Sequence, residues 1–275
     1  MRTGSQICCS NIENKTLGIE SSDPIMECLW KSSSTCLKLF KAIQHTNPIV
    51  NMTFDEQGVH IMAMGRSPSS LVQLFLTPKS FHHYSCATPI VIGVRTATMV
   101  TILQKAKQNE LVWKALDQMA LSIILFKDDQ HCEFRLRAVE IEEEQFDMPE
   151  LNDNVLINVE SNALREWTEK VLMAESDVLF QISQSKFLCS SSSIELGKVI
   201  HSEPMDGKRI KTVAFREHVN MALSFQATQS MLIFSNCGEM STIGFSNHQP
   251  SRLKVQLGDG SYLSLYVAPK NIDDE

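Results

Sequence analysis

The sequence predicts an α+β protein in which antiparallel sheets carry a small number of helices on one face. Two observations lead to this fold class. A unit of one helix followed by several strand-like runs recurs four times along the 275 residues. Strand-like runs far outnumber helices, and hairpin-length loops such as 55–58 and 258–260 separate them. We therefore expect two similar domains, each made of two β-α-β-β-β units.

The helices are predicted from apolar residues that recur at helical spacing. In the first of them Cys36, Leu39 and Ile43 share one face, whereas Lys38 and Lys41 lie on the opposite face. The four predicted helices are 34–44, 97–107, 162–173 and 218–227. Their starts follow one another at similar intervals, which is close to an even repeat. The last helix has only a short apolar stripe and contains no lysine or arginine.

Short apolar or alternating runs between the helices predict strands. The clearest of these runs are 49–54, 59–64, 70–76, 121–126, 178–182, 231–234 and 263–267. The acidic stretch 140–150 breaks at a proline and interrupts this rhythm, so it is typical of an exposed connector. The predicted organisation is a flexible extension over 1–24, domains over 25–138 and 155–275, and a connector over 139–154.

Composition and motifs argue against several classes of protein. No apolar run approaches the roughly 18 residues that a membrane span needs, so we expect no membrane partner. The net charge of −7 argues against wholesale coating by nucleic acid, but it does not exclude positive charge that is confined to one surface. The eight cysteines form no CxxC pair, which favours free thiols in a reducing compartment, with disulfides as the alternative that an even count leaves open. Adjacent strand residues such as His82 and His83 point to opposite faces, so one metal is not expected to engage both. The chain has no common catalytic or nucleotide-binding motif, so we predict no enzyme, catalytic residue, metal or cofactor.

Several stretches resemble the proliferating cell nuclear antigen family, the DNA sliding clamps. The segment 266–270 reads Tyr-Val-Ala-Pro-Lys and is followed by acidic residues, as in the tail of that family. The segments 70–74, 84–86, 92–94 and 145–150 are similar to its early strands and its interdomain connector. The likeness runs in order from about residue 25 and is weakest over 184–212.

The resemblance implies a head-to-tail homotrimeric ring with sheets outside and helices inside, around double-stranded DNA. It also implies partners, namely DNA polymerases and other replication proteins that dock through short peptides, and a clamp loader. The expected location is the nucleus, or the site of viral DNA replication if a virus encodes the chain. A subunit of a heterotrimeric checkpoint clamp and a monomeric or dimeric viral processivity factor remain alternatives. A protein-interaction scaffold without a DNA role is a more distant one.

A clamp holds DNA through phosphates without reading bases, so it needs cations that face the hole. The residues that the resemblance assigns to this role are Lys38, Lys41, Lys105, Lys107, Arg165 and Lys170. The alternative for each is a solvated surface cation. The predicted fourth helix would add no positive charge, so we expect a weaker or differently distributed grip.

The resemblance also implies an apolar cleft beneath the connector for partner peptides. The residues at matching positions are Met64, Leu71, Phe146, Met148, Pro149, Pro250, Tyr266, Val267, Ala268 and Pro269. Ordinary core packing is the alternative for Leu71 and Val267. It suits Phe146 and Met148 less well, because an acidic linker has little reason to carry them.

Ring closure in the family pairs an edge strand of one half with an edge strand of the neighbour's other half. The candidate edges here are 132–138 and 194–202, and either could equally be an internal strand.

Overall fold

The computed structural model of the chain describes residues 23–65, 70–106, 109–141 and 151–270. Within these residues it contains eighteen strands and four α-helices, and every strand pairing is antiparallel. The α+β class is therefore confirmed. Phe146, Met148, Pro149 and Lys107, which carry sequence-based predictions, lie outside the described residues.

The four helices recur even more evenly than the sequence predicted. They are α1 (Ser33–Thr46), α2 (Thr96–Leu103), α3 (Ser161–Leu172) and α4 (Phe225–Ser235). Successive starts are separated by almost equal intervals, including the last one, which the predicted start at 218 made shorter. Helix α1 begins behind the Ser32 hydroxyl, which accepts a hydrogen bond from the Thr35 backbone N–H at 3.1 Å. This is the cap that a serine supplies at a helix N-terminus.

The predicted position of the fourth helix is wrong. Residues Val219–Leu223 form a strand, and the helix starts only after Ser224, whose hydroxyl accepts from the Ala227 N–H at 3.2 Å. The run 231–234, predicted as a strand, lies inside this helix. Helix α4 packs against α1, α3 and the sheet beneath it, so apolar residues surround much of its circumference and the amphipathic stripe is lost.

Each helix follows one strand and precedes at least three more. The strands are β1 (Met26–Trp30), β2 (Ile49–Asp55), β3 (Gly58–Met64), β4 (Ser70–Leu76), β5 (Phe81–Cys86), β6 (Ile90–Arg95), β7 (Glu110–Ala115), β8 (Ala120–Lys127), β9 (Gln130–Arg137), β10 (Val155–Glu160), β11 (Val178–Ile182), β12 (Lys186–Ser193), β13 (Gly197–Pro204), β14 (Ile210–Phe215), β15 (Val219–Leu223), β16 (Met240–Phe245), β17 (Ser251–Gly258) and β18 (Ser261–Val267). The predicted β-α-β-β-β unit thus occurs four times, and β5 and β14 are additional strands that end the first and third units.

The two halves of the chain join through one continuous sheet. Its order is β14-β10-β16-β17-β18-β4-β3-β2-β6, five strands from the second half followed by four from the first. The joint is the antiparallel pair β18·β4, in which Tyr266 lies opposite Leu71. Two smaller sheets complete the fold, with orders β5-β1-β7-β8-β9 and β13-β12-β11-β15.

The hydrophobic core lies between the sheets and the helices. Trp113 is fully buried in the first half, with its ring centroid 4.8 Å from that of Trp30 and 5.8 Å from that of Phe40 on α1. Trp167 on α3 packs against Phe187 at 4.7 Å in the second half. These large rings fix α1 and α3 on their sheets, and so determine which side chains of these two helices face solvent.

The described cysteines are all free, and four of the six are buried. Burial raises the pKa of the Cys189 and Cys237 thiols to about 12 each, so both stay protonated at neutral pH. They pack as small apolar side chains, as the sequence suggested.

Because Gly93 in β6 has no side chain, it leaves room for the backbone of the segment that leads out of the first half. Its carbonyl accepts a hydrogen bond from the Val139 N–H at 2.8 Å, and a Cβ at this position would lie 2.0 Å from the Val139 carbonyl oxygen. We expect Gly93→Ala to push the 138–141 segment off β6 and to destabilise the protein by about 1–3 kcal/mol, the usual cost of overpacking. Thermal unfolding measures this loss, and an unchanged melting temperature would contradict the contact.

Candidate functional site

The four helices form one layer that crosses the joint between the halves. Helix α1 contacts α2 on one side and α4 on the other, and α4 contacts α3, so the lateral order is α2-α1-α4-α3. The buried residues of each helix face the sheets. The opposite faces therefore make a single exposed surface, which we call the helix face.

The net charge of the helix face comes from α1 alone. Lys38 and Lys41 are exposed on it, and neither forms an ion pair with another described residue. Helices α2 and α4 contain no charged residue at all, and α3 carries two cations and two carboxylates. Summed over the four helices the charge is +2 (α1 +2, α2 0, α3 0, α4 0), with histidine neutral.

Arg165 and Lys170 lie on α3 as predicted, but each already has a partner within the chain. The Arg165 guanidinium donates to the Asn236 side-chain oxygen at 2.8 Å and to that of Asn162. Lys170 donates to Glu166 at 2.6 Å. The partners of Arg165 are neutral, so its positive charge is not offset by them. The positive charge of Lys170, in contrast, is paired with the Glu166 carboxylate.

Glu166 is the centre of this pairing on α3. It also accepts a hydrogen bond from Arg209 at 2.6 Å, and the hydrogen bonds from Lys170 and Arg209 lower its pKa. The carboxylate therefore remains ionised and offsets the nearby cations. The second half contributes no net positive charge from its helices to the helix face.

Lys105 follows α2 and does not belong to it. The helix ends at Leu103, and Lys105 occupies the next turn, where its backbone N–H donates to the Ile102 carbonyl at 2.9 Å. Its side chain is exposed. The prediction of a helix over 97–107 is thus too long, because the apolar spacing continues to Ala106 although the backbone has already turned.

A cleft of about 640 Å³ opens where the halves meet on the helix face. Lys38 comes to it from α1 and Arg165 from α3, and Glu160 and Glu239 also line it. The Cys237 thiol, 3.6 Å from the Lys38 carbonyl oxygen, joins the two sides. The cleft therefore brings together two of the predicted cations, with two acids beside them.

The predicted peptide pocket maps partly onto the sheet surface opposite the helices. Met64 on β3 lies opposite Leu71 on β4, and Leu71 lies opposite Tyr266 on β18, so the three form one row across the joint. Val267 belongs to the core and is only 2% exposed, which places it on the other face of the sheet. Pro250 precedes β17, and Ala268 and Pro269 follow β18; all three are partly exposed.

Further side chains of this sheet face were not found from the sequence. Arg252 on β17 pairs with Tyr266 in register and makes an ion pair with Asp153 at 2.9 Å. Burial raises the pKa of Asp153 although the Arg252 guanidinium acts in the opposite direction. Burial also raises the pKa of Tyr266. The alternation of inward-facing and outward-facing residues in β17 and β18 indicates these side chains, but only once the pairing of β18 with β4 is known.

The two predicted edge segments both lie at sheet edges in the described part of the chain. Strand β9 is the last strand of the five-stranded sheet, and β13 is the last of the four-stranded sheet. The first residues of the segment 194–202 form the turn before β13, in which Ile194 is fully exposed. Pairing with another chain is therefore sterically open on both edges.

Across 23–65, 70–106, 109–141 and 151–270, no group of three or more histidines, cysteines, aspartates or glutamates is placed to hold a metal ion. None of the helices seen in those ranges has the length and apolarity to span a bilayer.

Comparison with known proteins identifies the family. The family described as "Proliferating cell nuclear antigen, N-terminal domain" matches residues 25–166. Because this match covers more than half of the 275 residues, the chain belongs to the proliferating cell nuclear antigen family. The resemblance stated from the sequence is thereby confirmed.

Individual relatives agree over nearly the full length. The chain is 26% identical to the proliferating cell nuclear antigen of Chaetomium thermophilum, over 91% of this chain and 100% of that protein. It is 26% identical to a DNA polymerase sliding clamp of Methanobrevibacter smithii, over 89% and 98%. It is 24% identical to a probable DNA polymerase sliding clamp of Paramecium bursaria Chlorella virus 1, over 88% and 90%.

The fold agrees with a solved structure as well. The crystal structure of the proliferating cellular nuclear antigen from Entamoeba histolytica superposes with a TM-score of 0.81 at 17% identity, covering 90% of this chain and 100% of that one. At this identity the comparison supports the fold alone.

Proposed function

We propose that this chain is the subunit of a closed DNA sliding clamp, a ring that encircles duplex DNA and performs no catalysis. The observation that carries the proposal is the match between the joint inside the chain and the two free edge strands β9 and β13. Family membership and the single layer of helices support it. The location that follows is wherever the genome is replicated, the nucleus or a site of viral replication.

The internal joint shows how two halves of this kind combine. A five-stranded set ending in β18 meets a four-stranded set ending in β4 and forms nine strands. The remaining sheets are again a five-stranded set, ending in β9, and a four-stranded set, ending in β13. Pairing β9 of one subunit with β13 of the next would repeat the internal joint and leave neither edge exposed. Because the two edges differ, the contact would be head-to-tail, and it would form a ring where the rotation between neighbouring subunits closes.

The clamp would act through topology. A closed ring around DNA lets a bound polymerase slide but not diffuse away, which raises its effective concentration at the primer end. The helix face would contact phosphates without reading bases. Opening would require a separate ATP-driven loader, because the sequence has no nucleotide-binding motif of its own.

Polymerases and other replication proteins would dock on the sheet face opposite the helices. Met64, Leu71 and Tyr266 supply a row of apolar and aromatic side chains there, and the connector would supply Phe146 and Met148. Methionine and aromatic side chains adapt to several ligands, which suits a shared docking site.

The oligomeric state tests the ring. A homotrimer has three times the 31.0 kDa mass of one chain, which light scattering coupled to gel filtration measures directly. A stable mass equal to that of one or two chains would contradict the homotrimer. A checkpoint-type subunit would remain a single chain until its partner chains are added. A viral processivity factor of the same fold would be a monomer or a dimer on its own.

Polymerase stimulation tests the tether. We expect the chain, with a loader, to increase product length on primed circular DNA and not on short linear DNA, from which a ring slides off. Phe146→Ala combined with Met148→Ala should remove the stimulation while the mass stays near three times 31.0 kDa. Equal stimulation on both templates, or stimulation that persists in the double variant, would contradict the proposal.

A further inference from the structure

The sheet face opposite the helices extends beyond the predicted pocket. Across β3, β4 and β18 its side chains form successive rows in register. These rows are Met64, Leu71 and Tyr266; then Met62, Gln73 and Ser264; then His60, Phe75 and Tyr262. None of the third row belongs to the hydrophobic core, although the flanking residues Val59, Ile61, Leu74, Leu76 and Leu263 do. The pocket row is thus continuous with a second, aromatic row across the same joint.

The aromatic row is held in place by its own contacts. The ring centroids of His60 and Phe75 are 4.7 Å apart with a tilt of 33°, and those of Phe75 and Tyr262 are 5.8 Å apart. His60 is fixed further by Asp55, whose carboxylate lies 3.3 Å from the imidazole. The three rings are partly exposed, and Met62 beside them is 37% exposed. The three rings form an aromatic platform whose side chains contact one another, so that little further ordering is needed when a ligand binds.

A positive charge lies at one end of the platform. The Lys254 ammonium on β17 lies 4.0 Å from the centroid of the Tyr262 ring. Its neighbour Arg252 is paired with Asp153, but Lys254 forms no ion pair within the described part of the chain. Burial lowers the pKa of Lys254, which is the direction expected for a cation that lacks a carboxylate partner.

We propose that this face takes an extended partner peptide with two recognition points. The apolar anchor occupies the Met64–Leu71–Tyr266 row, an aromatic side chain further along packs on Phe75 and Tyr262, and a neighbouring acidic residue pairs with Lys254. The rows are four residues apart along β18, so an extended peptide needs about four residues, roughly 13 Å, to connect them. This inference rests on the proposed docking function and adds the chemistry that selects among partners.

Two synthetic peptides test the second recognition point by fluorescence anisotropy. The anchor peptide carries only an apolar and aromatic anchor, and the extended peptide adds Phe-Asp four residues further on. We expect the extended peptide to bind about tenfold more tightly, as aromatic packing of about 1–1.5 kcal/mol gives. Phe75→Ser combined with Tyr262→Ser should remove that gain and leave the anchor peptide unchanged, which also shows that the variant is folded.

A charge exchange tests the acidic preference. Lys254→Glu should weaken the extended peptide about threefold, in the range of a partly exposed ion pair, and should strengthen a version with Lys in place of Asp. Lys211→Glu is the matched control, since Lys211 is exposed on β14 of the same sheet, far from β18 in strand order. Equal binding of anchor and extended peptides, or an equal effect of Lys254→Glu on both, would overturn the inference while docking stands. If neither peptide binds, the docking function itself fails.

Discussion

Replacing Ile194 and Leu196 together by aspartate is expected to convert the ring into single chains of 31.0 kDa. Ile194 is fully exposed and Leu196 is 48% exposed, in the turn that leads into β13. Leu116 and Met119, 46% and 73% exposed, occupy the turn between β7 and β8. That turn lies beside the end of β9, because the Ala138 N–H donates to the Met119 carbonyl at 2.7 Å.

An antiparallel pairing of β9 with the next subunit's β13 would bring these two turns together. The internal joint is antiparallel, with the end of β18 opposite the start of β4. By the same geometry the end of β9 would lie at the start of β13, and the four apolar side chains would cover one another. Burying a leucine or isoleucine contributes about 1.5–3 kcal/mol, so losing two per joint weakens association by a factor of about 10² or more.

Light scattering at micromolar chain concentration measures the change, and Leu116→Asp with Met119→Asp should act in the same way from the other side. Val213→Asp is the control, since Val213 is 53% exposed on β14, at an edge that the proposed joint does not use. A trimer mass that survives both double variants would exclude this joint.

Lys38→Glu combined with Lys41→Glu is expected to reduce stable loading on DNA strongly without altering the mass of the assembly. These two residues supply the whole net charge of the helices, so the double reversal changes their sum from +2 to −2 in each chain. Non-specific binding to DNA depends on cations that displace counterions from phosphates. A helix face of negative charge repels the duplex, and we expect retention on nicked circular DNA to fall at least about tenfold.

The control for this charge reversal is Lys79→Glu combined with Lys211→Glu, which changes the net charge equally through exposed residues outside the four α-helices. Retention after gel filtration of loaded circles separates the two variants. Equal loss in both would mean that total charge matters and the helix face does not. Undiminished retention in the Lys38 and Lys41 variant would show that these lysines are merely solvated.

The sequence predicted most of the repeat because each unit carries its own signal. The Cys36–Leu39–Ile43 stripe and the alternation in β4 give the local structure without knowledge of any partner. The prediction of helix α4 failed because Met231 to Phe234 is a continuous apolar run, and residue spacing alone does not distinguish such a run from a buried strand. Ser224, a good N-cap residue at an even repeat distance, was the available signal for its true start.

The sequence predicted the residues of a candidate site only where a single helix or strand determines which side chains are exposed. Lys38 and Lys41 face solvent because α1 has a clear apolar stripe. The pairing of Lys170 with Glu166 follows from helical spacing, but the addition of Arg209 depends on a contact 43 residues away. The row of Phe75 and Tyr262 needs the register of β18 on β4, two strands from opposite ends of the sequence, and local patterns carry no such information.

The unbroken nine-stranded sheet has a mechanical consequence for a ring of such chains. Hydrogen bonds run continuously from β14 to β6, so bending one chain between its halves would strain a whole ladder. We therefore expect each chain to behave as a stiff arc. Flexibility would be concentrated in the contacts between chains. A loader would need to separate only one of these contacts to admit a duplex. The chains themselves would keep their curvature, which favours return to the closed state.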